Sequence, residues 1–325
     1  MYTRVVTKIT FTNEPKLSEH EVDKDFNATR LNLLPHIRDF ISHHERFSGK
    51  EVGVTFATKG ISSLISFIET ANEKLVLKVA LSKEYAEGEA LFLKVWEEAG
   101  VRVPHVLEDG RLGERSYLLM EYIDAPTLKD KYTSEELLEK GIFLEMGRLL
   151  RRMHTPEAEG YGRVMDNKPE YPNFKDWLFG SFVEGRLKYV EEHNLLSEEC
   201  GDIADAREIL LGHVNENTKS SYCHDDFGTN NLFATNPITV FDPSPRFNNG
   251  YLDLGRSLCN HIGAGLFPTE LIEGYFGGAP YNERALHAAI FINAVMKMPY
   301  RHERNRLESI QNMQNYLIQN QNLLR

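Results

Sequence analysis

The stretch SYCHDDFGTNNLF, Ser221 to Phe233, places a His, two Asp and two Asn between a short β-like run and a closing Leu-Phe. Asp and Asn are common turn formers, so a plain hairpin loop is the simplest account of it. The spacing says more. His224, Asp226 and Asn231 fall as His-x-Asp-x4-Asn, and Asp242 follows Val-Phe eleven residues after Asn231. Asp226 and Asn231 leave the two ends of one loop, and Asp242 leaves the adjacent run ITVFD (Ile238–Asp242), so three oxygen-bearing side chains can converge. Mg2+ takes hard oxygen ligands and bridges substrate phosphates. An Asp not committed to the ion can accept a hydroxyl proton, as the loop Asp does in kinase-type phosphoryl transfer.

Two features upstream point the same way. In KLVLKVAL (Lys74–Leu81), Lys78 interrupts an otherwise apolar β-run, and a half-buried strand Lys is costly unless paired. Glu89, eleven residues on, lies in a segment with helical spacing and is its natural partner, with Glu84 and Glu87 as alternatives. A strand Lys held by a helix Glu is what orients a lysine onto nucleotide phosphates in kinase-like enzymes. Before it, TKGISSLISF offers Gly60, Ser62 and Ser63 in a tight turn whose backbone N–H groups can cover phosphates, a weak signal taken alone.

Composition sets the outer limits. The 325 residues are 41% hydrophobic and 26% charged, which is ordinary globular composition. The three cysteines (Cys200, Cys223, Cys259) form no CxxC, which suits a reducing compartment. No apolar leader or membrane-length run is present, so the expected location is cytoplasmic, with no membrane partner. A net charge of −11 disfavours nucleic acid as a partner. The charge is concentrated: residues 156–220 hold 14 acidic against 7 basic side chains, whereas the chain from Gly250 onward is near neutral.

The pattern of elements is α+β. β-type runs at Val52–Thr58, Leu64–Glu69, Lys74–Leu81 and Ser116–Ile123 fill the first half, with one helix in KEYAEGEALFLKVWEEAG, where Ala86, Ala90, Leu93 and Trp96 recur at helical spacing before Gly100. A further helix is expected over 29–44. After the linker at Asp124-Ala-Pro-Thr the pattern turns helical: Thr133 and Glu136 suggest a capping box, and Leu138, Ile142, Met146, Leu150 and Met153 mark one face. Helices are expected at about 173–194 and 197–214, and again after Asp242. The division expected is a strand-rich unit over 1–123 and a helix-rich unit over 124–325, in a two-lobed plan.

Taken together these residues resemble a family, the aminoglycoside phosphotransferase-like kinases, small-molecule relatives of the protein kinases. The resemblance runs from about Gly53 to His261 and rests on the order of GISS, the VLKVA lysine, EALFLKVWEEAGVRVPHVLE, YLLMEYIDAPTL, MGRLLRRMH, HDDFGTNN, VFD and GYLDL. It implies a protein-kinase-like fold, an antiparallel-sheet N-terminal lobe with one main helix and a larger helical C-terminal lobe. By the same resemblance Lys78 contacts nucleotide phosphates, Glu89 holds it, and Glu121, Tyr122 and Ile123 form a hinge that meets adenine. Asp226 is the implied base, Asn231 and Asp242 bind Mg2+, and His224 and Asp253 brace the loop. Two positions depart from the pattern. Asp225 stands where the family commonly has Gly, and Asp242 is followed by Pro243-Ser244-Pro245, so no protein-kinase activation segment is visible.

Other motifs carry less. Gly49-Lys50 lacks the earlier Gly of a P-loop, and Gly263-Ala-Gly265 has neither a third Gly nor a preceding strand, which removes the Rossmann reading. Neighbours His43 and His44 point apart on a helix, and adjacency of Cys223 and His224 is not the spatial pairing nucleophilic catalysis needs. The function expected is an ATP-dependent, Mg2+-requiring phosphotransferase acting on a small-molecule hydroxyl, with GTP an open alternative. The acidic segment 156–220 favours a cationic acceptor such as an aminoglycoside, which would make the chain an antibiotic-resistance enzyme. The alternatives are a metabolite kinase of the fructosamine, sugar or choline type, and a nucleotide-binding pseudokinase that serves as an interaction module.

Overall fold

The computed structural model describes residues 7–18, 24–58, 60, 62–81, 88–165, 168–214 and 218–324. They fall into two compact units, the first Met1–Lys94 with Val103–Asp124, the second Val95–Arg102 with Ala125–Arg325.

The first unit is a six-stranded sheet with strands β1 (Lys8–Phe11), β2 (Glu51–Phe56), β3 (Ser63–Glu69), β4 (Lys74–Ala80), β5 (Val106–Leu112) and β6 (Arg115–Glu121). The order is β1-β2-β3-β4-β6-β5. Every pair is antiparallel except β1 on β2, which is parallel. Alternation explains the sheet: Val52, Val54 and Phe56 of β2 and Leu64 and Ile68 of β3 face one core, while their neighbours point away. Helix α1 (Asp25–His43) covers that face through Leu33, Ile37 and Ile41, spaced four apart. The helix expected over 29–44 is thus longer at its N-terminal end. The main helix near Lys78 is α2 (Glu89–Glu98); Glu84, Ala86 and Glu87 lie outside the described residues.

The second unit carries the short helices α3 (Leu128–Lys131) and α4 (Ser134–Glu139), then α5 (Ile142–Met153), β7 (Glu157–Ala158), β8 (Tyr161–Met165) and β9 (Lys168–Tyr171). Next come α6 (Phe174–Leu178), α7 (Ser181–Glu192), α8 (Ile203–His213), β10 (Ser220–Cys223), β11 (Leu232–Phe233), β12 (Thr239–Val240) and β13 (Arg246–Asn248). Helices α9 (Gly250–Ile262), α10 (Thr269–Phe276), α11 (Glu283–Glu303) and α12 (Leu307–Gln319) finish it. The capping box at Thr133 and Glu136 is present, but it opens α4 alone. Gly141, at φ 65°, ends that turn and starts α5 afresh, so Leu137 and not Leu138 is the buried residue of α4. The stretch 173–194 likewise divides at Gly180 into α6 and α7.

Two close helix contacts shape this unit. Gly147 of α5 and Gly274 of α10 sit where an added Cβ would strike Leu271 O and Leu144 O of the facing backbone. At Gly255 of α9, a Cβ would lie 2.9 Å from the Ala289 carbonyl carbon of α11. Asn293 then ties the pair, its Nδ2 donating to Leu252 O at 2.8 Å and to Ala289 O at 2.9 Å. Helix α11 is buried on all sides from Ala285 to Pro299 and forms the centre of the unit. The three cysteines are free and buried, and no helix among the described residues is long and apolar enough to cross a membrane.

Candidate active site

The loop after Cys223 is held by its backbone. Strand β10 pairs antiparallel with β13, Cys223 opposite Arg246, so the chain leaves the sheet beside Arg246. Asp253, in the first turn of α9, accepts the N–H of His224 on Oδ2 at 2.7 Å and that of Asp225 on Oδ1 at 2.8 Å. His154, at the end of α5, reaches Asp253 Oδ2 with Nε2 at 3.0 Å, and its Nδ1 meets the Tyr275 hydroxyl at 2.9 Å. Burial pushes the Asp253 carboxyl up; the hydrogen bond and charge of His154, with His224, outweigh it and hold it below the ordinary carboxylate range. His224 stacks on Trp96 with its ring 5.8 Å away. Its Nδ1 accepts the Asp226 N–H at 3.3 Å, and Nε2, at 3.1 Å from Phe241 O, therefore carries the proton. His224 and Asp253 thus fix the path of the loop from both sides.

The two consecutive aspartates are in opposite situations. Asp225 has φ 55°, a left-handed conformation that glycine adopts without cost and Asp tolerates. Its buried carboxylate meets Arg246 Nε at 2.6 Å and Arg256 Nε at 3.3 Å, and Arg256 also donates to its carbonyl. A carboxylate whose two oxygens are occupied by guanidiniums is not open to a substrate hydroxyl. Asp226 is turned outward, its side chain 41% exposed. Asn231 steadies it, Nδ2 donating to Asp226 O and to Asp226 Oδ2, each at 2.9 Å. A carboxylate that is oriented and reachable can take a proton from a hydroxyl.

A hairpin brings Asp242 toward the end of this loop. Strands β11 and β12 pair Leu232 with Val240 and Phe233 with Thr239. Phe241 N then donates to Asn231 O at 3.1 Å, which puts the backbone of Asn231 next to that of the residue before Asp242. Asp242 is exposed and has φ 55°. Left-handed backbone at a non-glycine residue is uncommon and gathers at functional sites. The donor set there, an amide oxygen and a carboxylate, is the hard oxygen chemistry that suits Mg2+. Asn231 Oδ1 presently accepts Asn230 Nδ2 at 2.9 Å, a neutral contact that an ion would replace.

The remaining sequence-derived positions belong to the first unit. Lys78 and Glu89 are both buried, and Lys78 Nζ lies 2.7 Å from each carboxylate oxygen. Gly60 has φ 112° and its carbonyl accepts Arg30 Nη2 at 3.1 Å; Ser62 O accepts Leu81 N at 2.9 Å, and Ser63 opens β3. Residues 59 and 61 of that turn lie outside the described residues. Glu121 ends β6, its N–H donating to His105 O at 3.0 Å, and half-buried Tyr122 and Ile123 follow. The Tyr122 ring packs edge-on to Phe67 under Lys74 Nζ, 4.1 Å from its centroid.

Residues 53–244 match the phosphotransferase enzyme family, more than half of the chain. The chain belongs to that family. It is a small-molecule kinase, a phosphotransferase with an alcohol group as acceptor. No curated protein matches it by sequence. Solved structures show the fold. A thermostable mutant of the aminoglycoside phosphotransferase APH(4)-Ia, in ternary complex with AMP-PNP and hygromycin B, superposes with TM-score 0.61 at 15% identity, over 87% of this chain and 97% of its own. A provisionally assigned fructosamine-3-kinase from Haemophilus somnus gives 0.58 at 16%, over 86% and 96%. Another from Thermobifida fusca gives 0.55 at 17%, over 82% and 95%.

Several residues of this phosphotransferase that surround Asp226 carry no motif. Arg246 and Arg256 neutralise Asp225, and Asn260 of α9 accepts Lys297 Nζ at 2.6 Å. Lys297, on buried α11, has Nζ 3.9 Å from Asp226 Oδ1. Burial, then the charge of Arg256 and Arg301, brings Lys297 down to about 7 against the pull of Asp226. One signal was available in the sequence. AAIFINAVMKMPY is apolar around a single lysine, the same anomaly that marks Lys78 in KLVLKVAL.

Proposed function

We propose that this kinase uses ATP, with Mg2+, to phosphorylate a hydroxyl of a small molecule, with Asp226 as the base. The observation that carries the assignment is the contrast between the adjacent aspartates: Asp225 is buried between two arginines, while Asp226 is exposed and held by Asn231. The AMP-PNP bound in a structural neighbour supports ATP as the donor.

In the proposed reaction the acceptor hydroxyl sits at Asp226, whose carboxylate takes the proton as the oxygen attacks the γ-phosphorus in line and the bond to the β–γ bridging oxygen breaks, releasing ADP. Asn231 keeps the carboxylate aimed by its two N–H donations. Lys78, charged and positioned by Glu89, is assigned to the nucleotide phosphates, and the turn at Gly60, Ser62 and Ser63 to covering them. Glu121 to Ile123 are assigned to the adenine. Asn231 and Asp242 would hold Mg2+, which supplies charge neutralisation at the phosphates when bound. An interaction module without turnover has no use for an exposed, aimed Asp226, which weighs against the pseudokinase reading.

The acceptor class has support on two sides. Hygromycin B in a structural neighbour and the acidic stretch 156–220 speak for a cationic, aminoglycoside-type acceptor. Fructosamine-3-kinase neighbours speak for a metabolite. Many carboxylates of the acidic stretch are engaged locally: Glu159 with Lys219, Glu170 with Arg163, Glu184 with Arg207, and Asp202 at the start of α8. That favours the metabolite reading. The test is ADP release with Mg2+ and ATP across amines, sugars and hydroxy acids, alongside Asp226→Ala. Acceptor-stimulated release lost in the variant establishes the activity; equal release from the variant rejects Asp226 as the base.

A further inference from the structure

Beside Asp226 the charges are predominantly positive. Arg246 and Arg256 are occupied by Asp225, whose single carboxylate they share. Lys297 and Arg301, one turn apart on α11, then both act on Asp226: Lys297 Nζ is 3.9 Å from its Oδ1, and Arg301 is within its electrostatic reach. Among the described residues, three guanidiniums and the Lys297 amine thus act on these two carboxylates. Lys297 is buried at its base and directed at the one exposed carboxylate of the loop. Its ammonium has three N–H groups; Asn260 takes one, and 3.9 Å to Asp226 is too long for a hydrogen bond.

A buried lysine whose nearest carboxylate lies 3.9 Å off, beyond hydrogen-bond reach, is costly in a folded protein. The position becomes economical if an anion completes it during the reaction. Asp226 does not complete it, because its carboxylate stands 3.9 Å away and faces the acceptor hydroxyl in the proposed reaction. The geometry points to an acceptor that carries an anionic group, carboxylate or phosphate, beside its reacting hydroxyl, with Lys297 and Arg301 binding that group. This deepens and rests on the kinase reading. A cationic acceptor placing its hydroxyl at Asp226 would bring its charge against Lys297, Arg256 and Arg301 and be repelled. An anion there draws Lys297 back to its charged form, so binding and charge reinforce each other.

The experiment pairs acceptors by charge. ADP release with Mg2+ and ATP is measured for hydroxy acids (glycerate, 3-hydroxybutyrate), for phosphate esters (glycerol 3-phosphate, fructose 6-phosphate), for neutral glycerol and glucose, and for ethanolamine and hygromycin B. Thermal protection by each compound is followed in the presence of AMP-PNP. Wild type is compared with Lys297→Met and Arg301→Gln, the first an isosteric removal of a buried charge that should not unfold the chain.

The expected result is stimulation or protection by an anionic arm, carboxylates and phosphate esters being told apart by which series responds. The variants should raise the acceptor KM roughly tenfold or more, as loss of a charged hydrogen bond does, with a smaller change for ATP. Stimulation by the amines instead, with acceptor KM unmoved in both variants, overturns the inference and leaves the kinase standing. So does binding of ATP with no response to any anion. A fall in kcat common to every acceptor, with KM unchanged, assigns Lys297 to the transferred phosphoryl group and also overturns it. Failure of ATP-Mg to bind rejects the kinase reading itself, and this inference with it.

Discussion

Asn231 donates to the backbone and to the carboxylate of Asp226 at the same distance, 2.9 Å, so one side chain fixes both the position and the direction of the proposed base. The two residues sit five apart in the chain, and the single turn Thr229–Asn231 between them is what closes that span.

Asp226→Ala should lower kcat by about 10²–10⁴-fold, the usual contribution of a positioned base. Asn231→Ala should lower it too and in addition raise the Mg2+ concentration needed for half activity, because its oxygen is an assigned ligand. Steady-state rates over a Mg2+ titration measure both. An Asn231 variant with unaltered Mg2+ dependence would remove it from the ligand set.

The buried pair Lys78–Glu89 gives a thermodynamic cycle. Removing either partner leaves an uncompensated buried charge, so Lys78→Met or Glu89→Leu should each cost about 3–5 kcal/mol. The double variant should recover most of that stability and none of the activity. Denaturant melts and ATP turnover on all four proteins decide it; recovery of turnover in the double variant would reduce the pair to a structural role.

Gly255 sets the separation of α9 and α11, and therefore of Arg256 and Asn260 from Lys297. A methyl there meets the Ala289–Ile290 backbone at 2.9–3.0 Å, which one of the helices must yield to accommodate. Gly255→Ala should cost about 1–3 kcal/mol by overpacking, outweighing the helix-propensity gain of about 1 kcal/mol. It should also lower kcat/KM more than the equally helical but spacious Gly212→Ala. Equal effects from both would show that the contact does not set the site.

Two buried histidines make the fold acid-sensitive. Burial, with the charge of Lys297, pushes His261 down to about 4, and burial pushes His287 down to about 4. Below the ordinary value near 6.5 the unfolded chain takes up protons that the folded chain refuses until pH 4. Stability is therefore full above pH 6.5 and falls as the pH drops toward 4, by about 3 kcal/mol for each histidine at the limit. His287→Phe should remove its share of that slope in denaturant midpoints between pH 7 and 4.5. An unchanged slope would mean that His287 titrates normally in the folded state.

The residues that sequence alone singled out share one property: their chemistry conflicts with their local pattern. Lys78 stands in an apolar strand, and Asp225, Asp226, Asn230 and Asn231 crowd one loop. Such conflicts are visible in one dimension because alternation and periodicity define what a position ought to be. The strands β2, β3, β4 and β6 were readable for the same reason. Strand β1 was not, since four residues paired in parallel with a distant strand leave no local trace. The helix stops at Gly141 and Gly180 leave no mark in the pattern because the apolar spacing continues through them.

From its sequence alone this protein resembles a kinase-type phosphotransferase, since the order of its motifs from Gly53 to His261 and the spacing of Asp226, Asn231 and Asp242 are quantities read along the chain. The step from Asp226 to Asn231 already singles out Asp226; the tertiary structure shows why Asp225 is occupied. Arg246 reaches Asp225 through strand pairing and Arg256 through the packing of α9. It alone placed Lys297, 71 residues beyond Asp226, beside the same carboxylate. Electrostatic partners act through space over a few ångströms, and the chain separation of the residues that supply them carries no record of that distance.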